Sequence, residues 1–158
     1  MNPGDILVYR KNWYASNLGI PGFWTHAGLY TGTLADMDAY FKDIFPYKGY
    51  ASVSEFLKAT QPTAYAALTK QDNLGYAPSV VESQTHGTLI QSLEVSASVD
   101  YVAAVRTKLS KQAVFEAVML ALSHYNKPYD YAFDLDTKQE IYCSELVYDA
   151  YLANSKSK

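Results

Sequence analysis

The chain contains one cysteine, Cys143, and its place in the sequence is compatible with a chemical role. The pattern predicts that Cys143 begins the last helix, directly after a polar and aromatic loop. At such a position the free backbone N–H groups and the positive end of the helix dipole stabilise a thiolate and lower the pKa of the thiol. The same N–H groups can also donate to an oxyanion. A lone cysteine is often an inert buried side chain, so residue type alone leaves both interpretations open.

A thiolate nucleophile needs a base, and the three histidines are the candidates because imidazole titrates near neutral pH. His26 lies in a predicted strand beside Ala27-Gly28, where small side chains let another element approach closely. His86 is expected in a solvated hairpin turn, and His124 near the C-terminal end of a helix, where it would interact with the helix dipole. His26 is therefore the preferred base, with a satisfied core histidine as the alternative.

A third group would orient the imidazole, and several carboxylates compete for this role. Glu82 follows Val80-Val81 in a predicted strand, so its carboxylate is expected to border the core, where such a group usually has a partner. The competing candidates are Glu94, Asp130, Asp134 and Glu145. Spacing in the sequence does not choose among them.

Hydrophobic periodicity and turn residues predict the elements that would position these side chains. Strands are predicted at 6–9, 24–31, 79–83, 88–93 and 101–106. Helices are predicted at 36–45, at 54–60, from a Ser110 cap to about 125, and at 143–152, with a turn or short helix at 11–18. This order of elements predicts an α+β domain with an antiparallel sheet.

Residues 34–78 form a stretch rich in Tyr and Phe between two predicted strands. One interpretation is an insertion that roofs a cleft as a lid. The other is a surface excursion that packs against the domain. The sequence does not decide between them.

The composition is that of one soluble globular domain of 158 residues, with 49% hydrophobic and 18% charged residues. A net charge of −3 without a basic stripe argues against nucleic acid as a partner. No apolar run approaches the roughly 18 residues that a membrane span needs, so no transmembrane segment is predicted. One cysteine excludes an internal disulfide and a multi-cysteine zinc site. No phosphate loop, metal-ligand cluster or dinucleotide fingerprint is present, so no cofactor is expected.

Five short segments, taken in order, resemble a known family. They are Gly4-Asp5-Ile6-Leu7-Val8, Thr25-His26-Ala27-Gly28-Leu29-Tyr30-Thr31-Gly32, Val80-Val81-Glu82-Ser83, Lys127-Pro128-Tyr129-Asp130-Tyr131-Ala132-Phe133-Asp134 and Tyr142-Cys143-Ser144-Glu145-Leu146-Val147. The chain resembles the permuted papain-like amidases of the YaeF/YiiX type, which are circularly permuted relatives of the NlpC-type cell-wall peptidases. In the unpermuted relatives the Cys helix comes first, whereas here the His strand comes first and the Cys helix last. The segments leave mainly 34–78 unmatched.

The resemblance implies one domain over residues 1–158 with a circularly permuted papain-like (NlpC-like) fold, an antiparallel sheet packed against helices, and the Cys helix at the C-terminal end. It also implies that Cys143 is the nucleophile, His26 the base and Glu82 the polar residue that holds His26. Three tyrosines are the candidates for binding substrate. Tyr129 and Tyr131 belong to the segment before the Cys helix, and Tyr30 shares a strand face with His26.

The activity implied by the resemblance is that of a cysteine hydrolase acting through an acyl-enzyme. Its substrate would be an amide bond in a peptide or N-acyl amino acid, with cell-wall material as one source. Two alternatives are a thiol acyltransferase or lipid hydrolase of the lecithin–retinol acyltransferase-like type, and a binding module without activity. The expected partner is thus a peptide, an N-acyl amino acid or a lipid-like small molecule. Met1 to Asp5 lack the features of a signal peptide, which leaves the localisation open between bacterial cell envelope and cytoplasm.

Overall fold

The chain folds around a five-stranded antiparallel sheet. The computed structural model describes residues 1–12, 22–133 and 139–155, so most of the turn or short helix predicted at 11–18 lies outside the described residues. The strands are β1 (Ile6–Arg10), β2 (His26–Tyr30), β3 (Pro78–Gln84), β4 (Gly87–Ser92) and β5 (Tyr101–Val105). They lie in the order β4-β3-β2-β1-β5, and each neighbouring pair is antiparallel. The five predicted strands therefore all form, and they form one sheet.

Six α-helices lie in the described part of the chain. They are α1 (Leu34–Tyr40), α2 (Val53–Thr60), α3 (Pro62–Leu68), α4 (Leu93–Ser96), α5 (Lys111–Ser123) and α6 (Cys143–Ser155), with a 3-10 helix at Lys42–Ile44. The Ser110 hydroxyl caps α5 by accepting from the Ala113 N–H, as predicted. The helix predicted at 36–45 is divided into α1 and the 3-10 helix. Two short helices, α3 and α4, were not predicted.

The main hydrophobic core lies on one face of the sheet. There Leu29 of β2 and Val81 of β3 pack with apolar residues of α5 and α6, among them Phe115 and Leu146. Residues 34–78 supply a large part of the same core through the buried side chains of Met37, Phe41, Val53, Leu57, Ala64 and Leu68. This stretch is therefore anchored in the body of the domain by the burial of its apolar side chains.

The opposite face of the sheet carries a smaller cluster. Leu7, Tyr9 and Val80 are buried there, and Leu93 and Val99 from the segment after β4 pack against them. Because side chains alternate along a strand, the residues next to Leu29 and Val81 in sequence, Gly28 and Glu82, point to this second face. The architecture is α+β with Cys143 in the C-terminal helix, which confirms the predicted fold class. Within the described ranges, no helix is both long and apolar enough to cross a membrane.

Candidate active site

Cys143 is the first residue of α6. The Leu146 N–H donates to the Tyr142 carbonyl at 3.0 Å, and the Tyr142 N–H donates to the Glu145 carboxylate at 3.2 Å, so Tyr142 caps the helix. Backbone hydrogen bonds from Ala27 and Ser144 reach the Cys143 sulfur. The side chain is only 5% exposed, yet it borders an open cleft. The thiol thus lies at the positive end of a helix dipole, with access to a ligand.

Strand β2 brings His26 to this thiol from the other end of the chain. The His26 side chain is hydrogen-bonded both to Cys143 and to Glu82. Its Nε2 contacts Glu82 Oε2, which leaves Nδ1 as the ring nitrogen available to the sulfur. The imidazole is 27% exposed, so it too is open to the cleft.

Glu82 is the carboxylate that faces His26, and it is 1% exposed. Its second oxygen, Oε1, accepts a hydrogen bond from Ser96 Oγ at 2.5 Å and another from Gln91 Nε2 at 2.5 Å. A buried carboxylate is costly unless its oxygens are satisfied. Both oxygens of Glu82 have donors, which accounts for its presence inside the protein.

The pKa values of these three groups shift in mutually consistent directions. Burial alone would lower the pKa of His26, but its hydrogen bonds to Cys143 and Glu82 outweigh burial and raise it to about 9. Burial would raise the pKa of the Cys143 thiol, but the hydrogen bond and charge of His26 lower it. The pKa of Glu82 is likewise lowered, because the hydrogen bond and charge of His26 overcome burial. Together these directions favour a thiolate–imidazolium pair beside an ionised carboxylate.

The comparison with family models covers the whole chain. The model described as "permuted papain-like amidase enzyme, YaeF/YiiX, C92 family" matches residues 1–158. The chain belongs to this family. The match includes 34–78, which the five sequence segments left unmatched. No curated protein and no solved structure gives a significant match.

Membership of the C92 family shows that the chain is a papain-like cysteine peptidase or amidase, and hence a hydrolase. It confirms the predicted circular permutation, because the Cys helix is α6 and follows the sheet. A peptidase family also implies a peptide-like substrate. Beyond this, the cleft beside Cys143 is the feature that indicates which substrates the protein can bind.

A cleft of about 480 Å³ opens beside Cys143 and His26. Most of the other side chains that line it carry a hydroxyl or an amide, and these are Tyr9, Thr25, Ser83, Gln84, Thr85, Gln91, Ser96, Ser98 and Tyr129. The remaining lining residues are Lys11, Glu82, Val95 and Val99. No residue of 34–78 lines this cleft. Four aromatic residues of that stretch lie instead around Phe115 in the main core, namely Phe41, Phe45, Tyr47 and Phe56.

The three tyrosines expected to bind substrate have different surroundings. Tyr129 lines the cleft, where burial first and the nearby Cys143 charge second raise its pKa to about 12. Tyr131 is 66% exposed, and its hydroxyl donates to the carbonyl of Thr85, a residue of the cleft wall, at 2.8 Å. Tyr30 packs against the cluster of Leu7, Tyr9 and Val80 and does not line the cleft. Of the three, Tyr129 is the one that lines the cleft.

The competing carboxylates have other surroundings. Asp130 accepts from the N–H groups of Ala132 and Phe133 at 2.7 and 3.2 Å, and Glu145 accepts from the Tyr142 N–H. Glu94 is exposed on α4, and Asp134 lies outside the described residues. Glu82 is the candidate that contacts His26.

The two other histidines do not line the cleft. His86 is exposed in the turn between β3 and β4, as expected. His124 follows α5 but is buried, and neither ring nitrogen has a hydrogen-bond partner among the described residues. Burial and the charge of Lys127 lower its pKa to about 4. His124 is therefore neutral and cannot be the cationic partner of the helix dipole that the sequence predicted.

Three residues that lie around Glu82 and His26 were not identified as site residues by the sequence analysis, namely Tyr9, Gln91 and Ser96. Tyr9 pairs with His26 across β1 and β2, and their rings stack with centroids 5.3 Å apart. The hairpin predicted for β3 and β4 was a signal for Gln91, because it brings β4 beside Glu82. Ser96 lies in the four-residue helix α4, which gives no usable hydrophobic period.

Proposed function

We propose that this hydrolase cleaves an amide bond in a peptide or N-acyl amino acid, with Cys143 as nucleophile, His26 as acid and base, and Glu82 as the orienting carboxylate. The observation that supports this proposal is the hydrogen-bonded series from Cys143 through His26 to Glu82 at the wall of an open cleft. Nucleophile, base and orienting group are the three parts that thiol catalysis of acyl transfer requires.

In the first half of the reaction the Cys143 thiolate attacks the substrate carbonyl carbon and forms a C–S bond. The carbonyl electron pair moves to the oxygen, and the N–H of Cys143 at the start of α6 is a donor for this oxyanion. As the oxyanion collapses, the C–N bond breaks and the His26 imidazolium gives its proton to the leaving amine. The product is a thioester and a neutral imidazole.

In the second half His26 takes a proton from water, and the resulting hydroxide attacks the thioester carbonyl. The C–S bond breaks, a carboxylic acid leaves, and the pair of Cys143 thiolate and His26 imidazolium is restored. Glu82 stays ionised throughout and stabilises the imidazolium. General acid–base catalysis of this kind contributes about 10²–10⁴ in rate.

The cleft supports an amide substrate over an acyl chain. In its wall Gln84, Thr85 and Ser98 carry amide and hydroxyl groups that can pair with the N–H and C=O groups of a peptide. The lipid alternative drew on the aromatic stretch 34–78, whose side chains pack in the main core and do not line the cleft. A long acyl chain would leave these polar groups without partners, which costs binding free energy.

The proposal is tested with a panel of N-acyl aminoacyl coumarin amides and the Cys143→Ala variant. We expect wild-type protein to release coumarin and Cys143→Ala to lose at least about 10³-fold in rate, since the nucleophile is gone. Intact-mass spectrometry after rapid quenching should detect the acyl group on wild type alone. Tyr151→Phe, which removes a hydroxyl bonded to Gly4, is the control and should keep its rate, because neither residue lines the cleft. Equal coumarin release by Cys143→Ala refutes the assignment.

A further inference from the structure

Two side chains besides His26 are hydrogen-bonded to the Glu82 carboxylate. Ser96 Oγ donates to Glu82 Oε1, and Gln91 Nε2 donates to the same oxygen. The Tyr9 hydroxyl lies 2.8 Å from Ser96 Oγ. Because the single proton of the Ser96 hydroxyl is used on Glu82, Tyr9 must be the donor in that pair. Donation therefore runs from Tyr9 to Ser96 to Glu82.

Tyr9 is also in contact with the imidazole. Its ring stacks on the ring of His26 with an interplanar angle of 28°. Tyr9, Ser96 and Glu82 are all buried, so water does not replace a lost hydrogen bond cheaply here. One tyrosine thus restrains His26 through its ring and Glu82 through its hydroxyl and Ser96.

We propose that Tyr9, Ser96 and Gln91 are positioning residues of this active site, which keep Glu82 ionised and His26 aligned with Cys143. The inference rests on the proposed roles of Cys143, His26 and Glu82. It adds that the orienting carboxylate works only with its own donors in place. The sheet supplies two of the three positioning residues, Tyr9 from β1 and Gln91 from β4, and the short helix α4 supplies Ser96.

Removal of a donor has a consequence that a purely structural role would not have. With one donor fewer, the Glu82 carboxylate is less stabilised and its pKa rises. The proton that charges His26 is then drawn towards the carboxyl, so the Cys143 thiolate loses its counter-charge. The apparent pKa of the thiol should rise, and kcat should fall while KM changes little.

The variants are Ser96→Ala and Tyr9→Phe, each of which removes one hydroxyl from the series. We expect kcat on the best coumarin amide to fall about 10-fold, with KM within about twofold, since one charge-assisted hydrogen bond is weakened. The midpoint of Cys143 alkylation by iodoacetamide should move up by about half to one pH unit. Ser96→Thr, which keeps the hydroxyl, should lie closer to wild type.

Two matched controls separate positioning from general destabilisation. Ser54→Ala removes a serine hydroxyl that donates to the Asp38 carboxylate at 2.5 Å. This is the same type of hydrogen bond as that from Ser96 to Glu82, but neither Ser54 nor Asp38 lines the cleft. Tyr151→Phe removes a tyrosine hydroxyl bonded to the Gly4 carbonyl. Urea unfolding measures the stability cost of every variant. The controls should lose stability while the alkylation midpoint stays at the wild-type value.

The inference is overturned if both Ser96→Ala and Tyr9→Phe have the same alkylation midpoint and the same kcat as the control variants. Failure of the proposed function looks different, because wild-type Cys143 itself would then show no lowered midpoint and no acyl-enzyme. In that case the positioning role is refuted as well. If wild type behaves as proposed and only the variants show no shift, the network alone is refuted.

Discussion

At the scale of single residues, the proposed nucleophile, base and orienting carboxylate come from three different elements, α6, β2 and β3. Cys143 was favoured by its place at a helix start, which the structure has at the first residue of α6. Glu82 could not be chosen from sequence spacing, because carboxylates such as Asp130 and Glu145 competed for the same role. In the structure Asp130 accepts hydrogen bonds from backbone N–H groups of its loop, and Glu145 accepts one at the start of α6. These hydrogen bonds are evident only in the folded chain.

His124 gives a prediction at the same scale. Its pKa of about 4 lies below the unfolded value of 6.5, so the unfolded chain takes up the proton first as the pH falls. The stability that neutral His124 contributes is thus complete above about pH 6.5 and is lost progressively towards pH 4. The loss at pH 5 should be about 2 kcal/mol relative to pH 8.

The measurement is urea unfolding of wild type and His124→Leu at pH 8 and pH 5. The variant is needed because His26, whose pKa is raised to about 9, acts in the opposite direction over this range. The free energy of unfolding at pH 5 minus that at pH 8 should be more positive in His124→Leu than in wild type by about 2 kcal/mol. An identical difference in the two proteins contradicts the assignment of a neutral buried His124.

At the scale of elements, long periodic segments were predicted well and short ones were not. Helices α5 and α6 span more than three turns, and their apolar stripes and starts are visible in the sequence. Helix α4 has four residues, less than enough to show a period, yet it carries Ser96. Short elements of this kind are set by tertiary packing, so the hydrogen bond from Ser96 to Glu82 could not be predicted.

Strand pairing explains why His26 and Glu82 meet. The register joins Leu29 to Val81, so the next residues along, Gly28 and Glu82, share one face of the sheet. A Cβ atom on Gly28 would lie 3.1 Å from the Glu82 Cβ and 3.3 Å from the Tyr9 hydroxyl. The missing side chain at Gly28 therefore leaves the space in which the Glu82 and His26 side chains meet.

The Gly28→Ala variant tests this account of the strand. The added methyl should push Glu82 or Tyr9 aside by a few tenths of an ångström, which costs about 1–3 kcal/mol of stability as overpacking does. Because the displaced groups orient His26, coumarin release should fall about 10-fold as well. Urea unfolding and steady-state kinetics measure the two effects. Full activity together with unchanged stability would show that Gly28 has no such spatial role.

At the scale of the whole molecule, the permuted order places the two side chains that we propose to react at opposite ends of the chain. His26 is in the second strand and Cys143 begins the last helix, so the site exists only when the sheet and α6 are packed together. The stretch 34–78 belongs to the same folded unit, since its apolar residues share a core with α5 and α6. We expect activity and cooperative folding to be lost together on unfolding.

The central claim is that the imidazole of His26 activates the sulfur of Cys143, and alkylation of the single cysteine measures it directly. The rate of iodoacetamide labelling is followed against pH in folded wild type and in His26→Gln. The account predicts a wild-type midpoint clearly below the usual thiol value of about 8.5. It predicts a midpoint above that value in His26→Gln, because burial then acts on the thiol with no neighbouring positive charge. Equal midpoints in the two proteins, or a wild-type cysteine that labels only on unfolding, would contradict it.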